Sequence, residues 1–136
     1  MAECIFCKIV AGTLPSYKVY EDSDTIGFLD IHPTSPGHTL VVPKKHYPDL
    51  VNTPPEVAAN LVAVAQKLVP SIMDALSVPA FNISINNGAE AGQVIHHTHL
   101  HLIPRSRDDG LRPWPASDYR TGEIEEIAKK IKAKIV

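Results

Sequence analysis

The sequence predicts an α+β domain with a mostly antiparallel sheet. Strand-like segments come in pairs, one long helical stretch separates the pairs, and turn residues punctuate both. Residues 4–10 read as a short helix that sets Cys4 and Cys7 one turn apart. Lys18 to Glu21 and Thr25 to Asp30 read as two short strands around the polar turn Asp22-Ser23-Asp24. His32 to Gly37, with two prolines and a glycine, is a loop, and Thr39 to Pro43 is an apolar, β-branched strand. Thr53-Pro54-Pro55-Glu56 has the form of a capping box with proline in the first turn. The helix it starts has a stripe of Val57, Leu61, Val64, Leu68, Ile72 and Ala75, which Pro70 is expected to kink or break. Phe81 to Asn86 is the next strand, Asn87 to Gln93 a glycine-bearing loop, and Val94 to Pro104 a strand rich in histidine. Ile124, Ile127, Ala128, Ile131 and Ile135 mark a last, amphipathic helix. Its glutamates come first and its lysines last, as the helix dipole prefers.

The 136 residues have the length of one ordinary domain, 1–136, large enough to bury a core without staples. A net charge of −2 argues against a nucleic-acid surface, so an anion site has to be built locally from a few aimed groups. No apolar run is long enough for a membrane span. MAECIFCKIV lacks the basic lead-in and extended apolar stretch of a secretory signal, so a cytoplasmic location is expected. In that reducing setting Cys4 and Cys7, spaced C-x-x-C, read as metal-binding, redox-active or incidental rather than as a structural disulfide.

HHTHLHLIPR, residues 96–105, carries four histidines in six positions. Strand alternation puts His97, His99 and His101 on one face and His96, Thr98, Leu100 and Leu102 on the other. His97 and His101 are four residues apart, about 13 Å along a strand, too far for the three to share one ion easily when a Zn–N bond is about 2.0–2.1 Å. The row therefore divides its labour. Zinc takes four sulfur and nitrogen ligands; Cys4 and Cys7 offer two, and His97 and His46 are the nearest candidates to complete the set, with His32, His38 and His96 in competition. Such a closed shell leaves no open position for metal-activated water. His99 and His101 remain. A neutral imidazole can attack phosphorus without a separate base, and a second can steady the developing charge or protonate the leaving group. The preceding loop NNGAEAGQ, residues 86–93, adds glycine backbone N–H groups with Asn86 and Gln93 as neutral donors. There is no G-x-x-x-x-G-K-[ST], so P-loop phosphoryl transfer is excluded.

GQVIHHTHLHLIPR resembles the signature of the histidine triad (HIT) family, H-x-H-x-H followed by two apolar residues, and the N-x-G…A-G-Q loop precedes it as it does there. CIFCKIVAGTLPSYKVYED is similar to the family's opening helix and first strand, and FLDIHPTSPGHTLVVPKKH to its nucleoside-binding strands, so the resemblance runs from Cys4 to about Arg105. It implies the HIT fold, a five-stranded antiparallel sheet with two main helices, commonly paired as a homodimer. It further implies a nucleotide hydrolase or nucleotidyl transferase. The reaction centre would be the α-phosphate of purine nucleoside phosphoramidates, dinucleoside polyphosphates or related adenylates, with a covalent nucleotidyl-histidine. By resemblance His99 is the nucleophile, and His101, Gln93 and Asn86 hold the phosphate. Asp30 bonds the ribose hydroxyls, and Ile5, Phe6, Ile9, Phe28 and Ile31 form the slot for the base, while His38 supports the triad from behind. In the zinc-carrying Hint-like and Fhit-like branch, the positions of Cys4, Cys7, His46 and His97 hold a structural zinc. Many members have Ser or Thr after the G-Q pair; here Val94 stands there, which points to a nucleotide-binding adaptor as the alternative reading. Trp114, between prolines in Leu111-Arg112-Pro113-Trp114-Pro115, either reaches a partner's site or packs on its own domain.

Overall fold

A computed structural model describes residues 3–136. In chain order the elements are α1 (Ile5–Val10), β1 (Lys18–Glu21), β2 (Thr25–Leu29), β3 (Thr39–Pro43), α2 (Pro55–Leu76), β4 (Ala80–Ser84), β5 (Leu100–Arg105) and α3 (Glu123–Lys134). The strands form one antiparallel sheet in the order β1-β2-β3-β5-β4. The α+β class and the five-stranded sheet are as expected, with α1 as a short third helix beside the two longer ones.

Strand alternation gives the sheet two apolar faces. On one, Val41, Leu100 and Leu102 meet Leu61, Val64, Ala65 and Val69 of α2. On the other, Ile26, Phe28, Leu40 and Val42 pack against Phe6 of α1. Each fully buried leucine of this kind contributes about 1.5–3 kcal/mol. His101 is the register partner of Leu40 and so shares the α1 face, while its neighbours Leu100 and Leu102 bury themselves under α2. One strand thus holds a core on one side and carries chemistry on the other.

Several elements depart from the sequence reading. The histidine strand starts at Leu100, not Val94: residues 94–99 are irregular, because side chains take the backbone partners a ladder would use. Thr98 N–H donates to Tyr47 O at 2.7 Å, and the His97 carbonyl accepts from His99 Nδ1 at 2.7 Å. β4 covers Ala80–Ser84 rather than 81–86. Thr53 does not cap α2. The N-cap is Pro54, with no side-chain bond, and the Thr53 hydroxyl lies 2.7 Å from Asp49 O and 2.8 Å from Thr98 Oγ1. α2 runs through Pro70 as one 22-residue helix. Pro70 is on the exposed side, where water can satisfy the carbonyl left without its N–H donor, and Val69 stays in the core across the step. Ala75 is exposed, and Ala65 and Val69 are buried in its stead. The isoleucine stripe of α3 forms as a helix face, but no residue of α3 is buried.

Gly37 ends the loop that delivers His38 to β3. Its φ is +88°, and a Cβ there would collide with Leu76 Cδ1 at the end of α2. Gly37→Ala should therefore lower stability by about 1–3 kcal/mol, with a smaller loss when it is introduced beside Leu76→Ala; chemical denaturation of the two pairs checks this.

Candidate functional site

Two groups of side chains meet on the α1 face of the sheet. The first comprises Cys4, Cys7, His46 and His97, whose ligand atoms all lie within 4.8 Å of one another. Cys4 precedes α1 and Cys7 lies one turn on, so the helix sets the thiol spacing. His97 Nδ1 stands 3.4 Å from Cys4 Sγ, 3.6 Å from Cys7 Sγ and 3.2 Å from His46 Nδ1, and Cys7 Sγ is 3.3 Å from His46 Nδ1. Ligands on a tetrahedral zinc, with bonds of about 2.0–2.1 Å to nitrogen and about 2.3 Å to sulfur, sit roughly 3.3–3.8 Å apart. His97 Nε2 is 2.8 Å from the Pro43 carbonyl, which can only accept, so Nε2 carries the proton and Nδ1 turns its lone pair to the cluster. Burial lowers the pKa of both His97 and His46, keeping them neutral as metal ligands must be. These four residues can hold a cation of the zinc type, and they would form a closed shell.

The second group comprises His99, His101, His38 and Asp30. His99 Nδ1 donates to the His97 carbonyl at 2.7 Å, so its Nε2 bears the free lone pair. Its ring packs edge-on against Phe6, with centroids 5.0 Å apart. Burial, opposed by that hydrogen bond and by Asp30, lowers its pKa and keeps the ring neutral. His101 is held in the opposite tautomer by a relay. Thr34 N–H donates to His38 Nδ1 at 3.0 Å, which leaves His38 Nε2–H to donate to His101 Nδ1 at 2.9 Å. The His101 proton therefore sits on Nε2, a buried atom without a hydrogen-bond partner among the described residues. Burial first, then the neighbouring His99 and His38, pushes the His101 pKa down to about 4. His99 and His101, centroids 4.8 Å apart, are thus a bare nitrogen beside an unpaired N–H donor.

The other predicted residues fall around this pair. Asp30 follows β2, with a carboxylate oxygen 3.8 Å from His38 Nε2 and the other accepting from His32 N–H at 2.9 Å. Phe6 and Phe28 are buried edge to face at 5.5 Å in the core, and of the two it is Phe6 that also meets the His99 ring. Ile5 and Ile31 are exposed, and Ile9 is partly buried beside Phe6. Asn86 makes one long bond, 3.5 Å to Gly92 O. Gln93 is buried and its carboxamide is taken up by backbone: it accepts from Gly88 N–H at 2.9 Å and donates to Pro48 O and Ile95 O at 2.8 and 3.1 Å. It shapes the loop; its side chain has no donor left over for a phosphate. Val94 is 82% exposed, and His96 is exposed where His97 and His99 are buried.

Sequence reasoning missed the backbone groups that set the tautomers: Thr34 N–H, Pro43 O and His97 O. No residue-type signal marks a main-chain donor or acceptor. It also missed Arg105, whose guanidinium bonds Asp109, Asn82 and the Leu111 carbonyl and ties the tail to β5. Trp114, 86% exposed, lines a cavity of about 420 Å³ with Thr34, Asn82, Ser84 and Arg105 of its own chain.

Residues 11–108 match the family model described as the HIT domain. The adenylylsulfatase HINT3 of Arabidopsis thaliana is 45% identical over 123 residues, 90% of this chain and 61% of that protein, so this chain spans under two thirds of that relative's length. The adenosine 5′-monophosphoramidase HNT1 of Candida albicans is 38% identical over 143 residues, covering 98% of this chain and 94% of that one. The solved structure of a zinc-bound histidine triad family protein from Mycobacterium smegmatis superposes with a TM-score of 0.79 at 38% identity, over 98% of this chain and 99% of the other. With a domain match over most of its length and relatives aligned nearly end to end, the chain belongs to the HIT family.

Proposed function

We propose that the chain is a nucleotide hydrolase or nucleotidyl transferase working at the α-phosphate of nucleoside phosphoramidates, dinucleoside polyphosphates or related adenylates. The observation that carries this reading is the opposed tautomers of His99 and His101. His99 Nε2 attacks the α-phosphorus, forming a P–N bond as the bond to the leaving group breaks. His101 Nε2–H, pre-aimed and desolvated, bonds the phosphoryl oxygen where charge grows, or passes its proton to the departing group. Water then splits the P–N bond, and the nucleoside monophosphate departs with His99 restored. Asp30 takes the ribose hydroxyls, Phe6 and Phe28 support the base, and Asn86 with the loop backbone holds the phosphate. The names of the two relatives support this reading: adenylylsulfatase and adenosine 5′-monophosphoramidase share an adenosine 5′-phosphoryl part and differ in what leaves it. A purine substrate fits both.

The structural metal in this reading is zinc, held by Cys4, Cys7, His46 and His97. Bound there, it would crosslink α1 to the backbone leading into β5, and four protein ligands would leave no position for an activated water. A cytoplasmic location, where both thiols stay reduced, suits it. A second copy of the chain belongs to the reading as well: β4 is an edge strand whose Phe81 and Ile83 stay half exposed, a surface suited to a homodimer. Val94 favours a second reading, a nucleotide-binding adaptor with little turnover, because a valine offers no hydroxyl to the phosphate or leaving group.

His99→Ala should reduce turnover of adenosine 5′-phosphoramidate at least about 10³-fold, and His101→Ala about 10²-fold, with nucleotide binding retained. Steady-state rates with mass spectrometry of acid-quenched protein check this, and full activity in His99→Ala would sink the reading. Tight nucleotide binding by the wild type without turnover across a broad substrate panel would favour the adaptor. Elemental analysis should find about one zinc per chain, and Cys7→Ser should lose the metal and melt several degrees lower. Stability should also fall with acid. The folded pKa of His101, about 4, lies below the ordinary value of about 6.5. Its contribution is therefore complete above pH 6.5 and disappears as pH falls toward 4, at up to about 1.4 kcal/mol per pH unit for each proton taken up. Chemical denaturation between pH 7 and 4 should show a shallower loss for His101→Gln than for the wild type, given that Asp30, His38 and His99 face the ring in both.

A further inference from the structure

Thr53 reads as a helix cap in the sequence, yet α2 begins after Pro54 with no side-chain cap. Its hydroxyl is engaged instead with the stretch that carries the histidines. Thr53 and Thr98 are both buried, and their Oγ1 atoms are 2.8 Å apart. Either could donate across that contact, and the neighbouring carbonyls decide which does. Thr53 Oγ1 is 2.7 Å from Asp49 O, an atom that only accepts, so the Thr53 proton points there. Thr53 Oγ1 is then left to accept from the Thr98 hydroxyl. The other acceptor near Thr98 Oγ1, Tyr47 O, is farther away at 3.3 Å. The two hydroxyls form a directed chain, Thr98 to Thr53 to Asp49 O, in a buried setting that strengthens each bond.

This chain holds one peptide group. The His97 C=O and the Thr98 N–H belong to the same rigid plane. The N–H donates to Tyr47 O at 2.7 Å, and the C=O accepts from His99 Nδ1–H at 2.7 Å. The pairing of β3 with β5 stops at Leu100, so no ladder fixes this plane. A single N–H bond leaves the plane free to pivot about it. The hydroxyl chain attaches Thr98 at a second point and removes the pivot. We infer that Thr98, held by Thr53, is a positioning residue for His99: it locks the 97–98 peptide, which keeps the His99 proton on Nδ1 and Nε2 bare. The part His99 plays in turnover rests on the hydrolase or transferase reading above; the lock on its ring does not. Thr98 meets Thr53 ahead of α2 while the His99 ring packs on Phe6 of α1, so Thr98 acts through the backbone. The segment that grips it is itself anchored. Pro48 O accepts from Gln93 Nε2 and Leu50 N–H donates to Asn87 Oδ1, both at 2.8 Å, which ties the same frame to the glycine-bearing loop. Misplacing a reacting group by about 1 Å can cost on the order of 10²-fold in rate, so a small rotation of this plane acts on turnover more than on binding.

The test compares Thr98→Val, which keeps the branched shape and removes the hydroxyl, with Thr98→Ser, which keeps the hydroxyl. Both are made as full-length protein, with zinc content determined for each. With adenosine 5′-phosphoramidate, Thr98→Val should lower kcat about tenfold and leave KM within about twofold, and Thr98→Ser should return to within about threefold of wild type. Thr53→Val, which removes no helix cap, should act in the same direction. Combining it with Thr98→Val should be no worse than the more impaired single variant, because both break one chain. A second readout needs no turnover. In nitrogen-15 spectra of labelled histidine, the His99 signals are identified by their loss in His99→Ala. Wild type and Thr98→Ser should show the Nδ1–H tautomer alone, and Thr98→Val a mixture of the two. A kcat in Thr98→Val equal to wild type, or a Thr98→Ser as slow as Thr98→Val, would overturn the lock. So would a single unchanged tautomer in Thr98→Val, or loss of its zinc, which would place the effect at the metal cluster. A wild type that binds nucleotide without turnover would overturn the hydrolase reading, and the spectra would then decide the lock alone. Were Thr98→Val to fail to fold, the same two readouts on Thr53→Val decide it.

Discussion

His97 holds the site together by making three different bonds with one residue. Its Nδ1 faces the Cys4, Cys7 and His46 cluster, its Nε2–H is fixed by the Pro43 carbonyl, and its own carbonyl fixes Nδ1–H of His99. The ring is fully buried, so each of these bonds is made out of water and loosening any one would strand a polar atom. The orientation of the reactive imidazole therefore depends on the residue that faces the cysteines. A structural metal at that cluster would reach the chemistry through the backbone of a single residue, without touching a substrate.

The irregular stretch before β5 follows from the same demand. A regular ladder through residues 94–99 would have taken up the His97 carbonyl and the Thr98 N–H. Instead Thr98 bonds Tyr47 O, and its hydroxyl meets Thr53 ahead of α2. Gln93 ties the loop to Pro48 and Ile95. Side chain to backbone bonds stand in for a strand. They keep the alternation of faces that lets Leu100 and Leu102 enter the α2 core while His99 and His101 stay on the α1 face.

The second imidazole is tuned by a relay starting at a main-chain N–H. Thr34 sets the His38 tautomer, and His38 sets that of His101. The outcome is a buried donor with no partner among the described residues, an arrangement that costs stability and is suited to a charge arriving with a ligand. The tail that carries Trp114 is held against the same sheet face by the Arg105–Asp109 pair, and it walls a cavity beside the Thr34 loop.

The sequence by itself determined the parts that depend on residue type and period. Alternation in HHTHLHLIPR separated His96 from the other three, and the spacing of Cys4 and Cys7 set two thiols on one helical turn. The apolar runs located the strands of an α+β sheet to within a few residues. Only the tertiary structure decided which nitrogen of each ring carries a proton, because that is settled by main-chain groups of residues 34, 43 and 97, whose identities advertise nothing. It also decided that Gln93 shapes its loop, that Pro70 lies where water can repair the missing bond, and that β5 begins six residues later than the alternation suggests. It left most of the isoleucine face of α3 exposed, with Ile127 half-buried. Periodicity states that a helix has an apolar side; what that side meets depends on where the rest of the fold puts it.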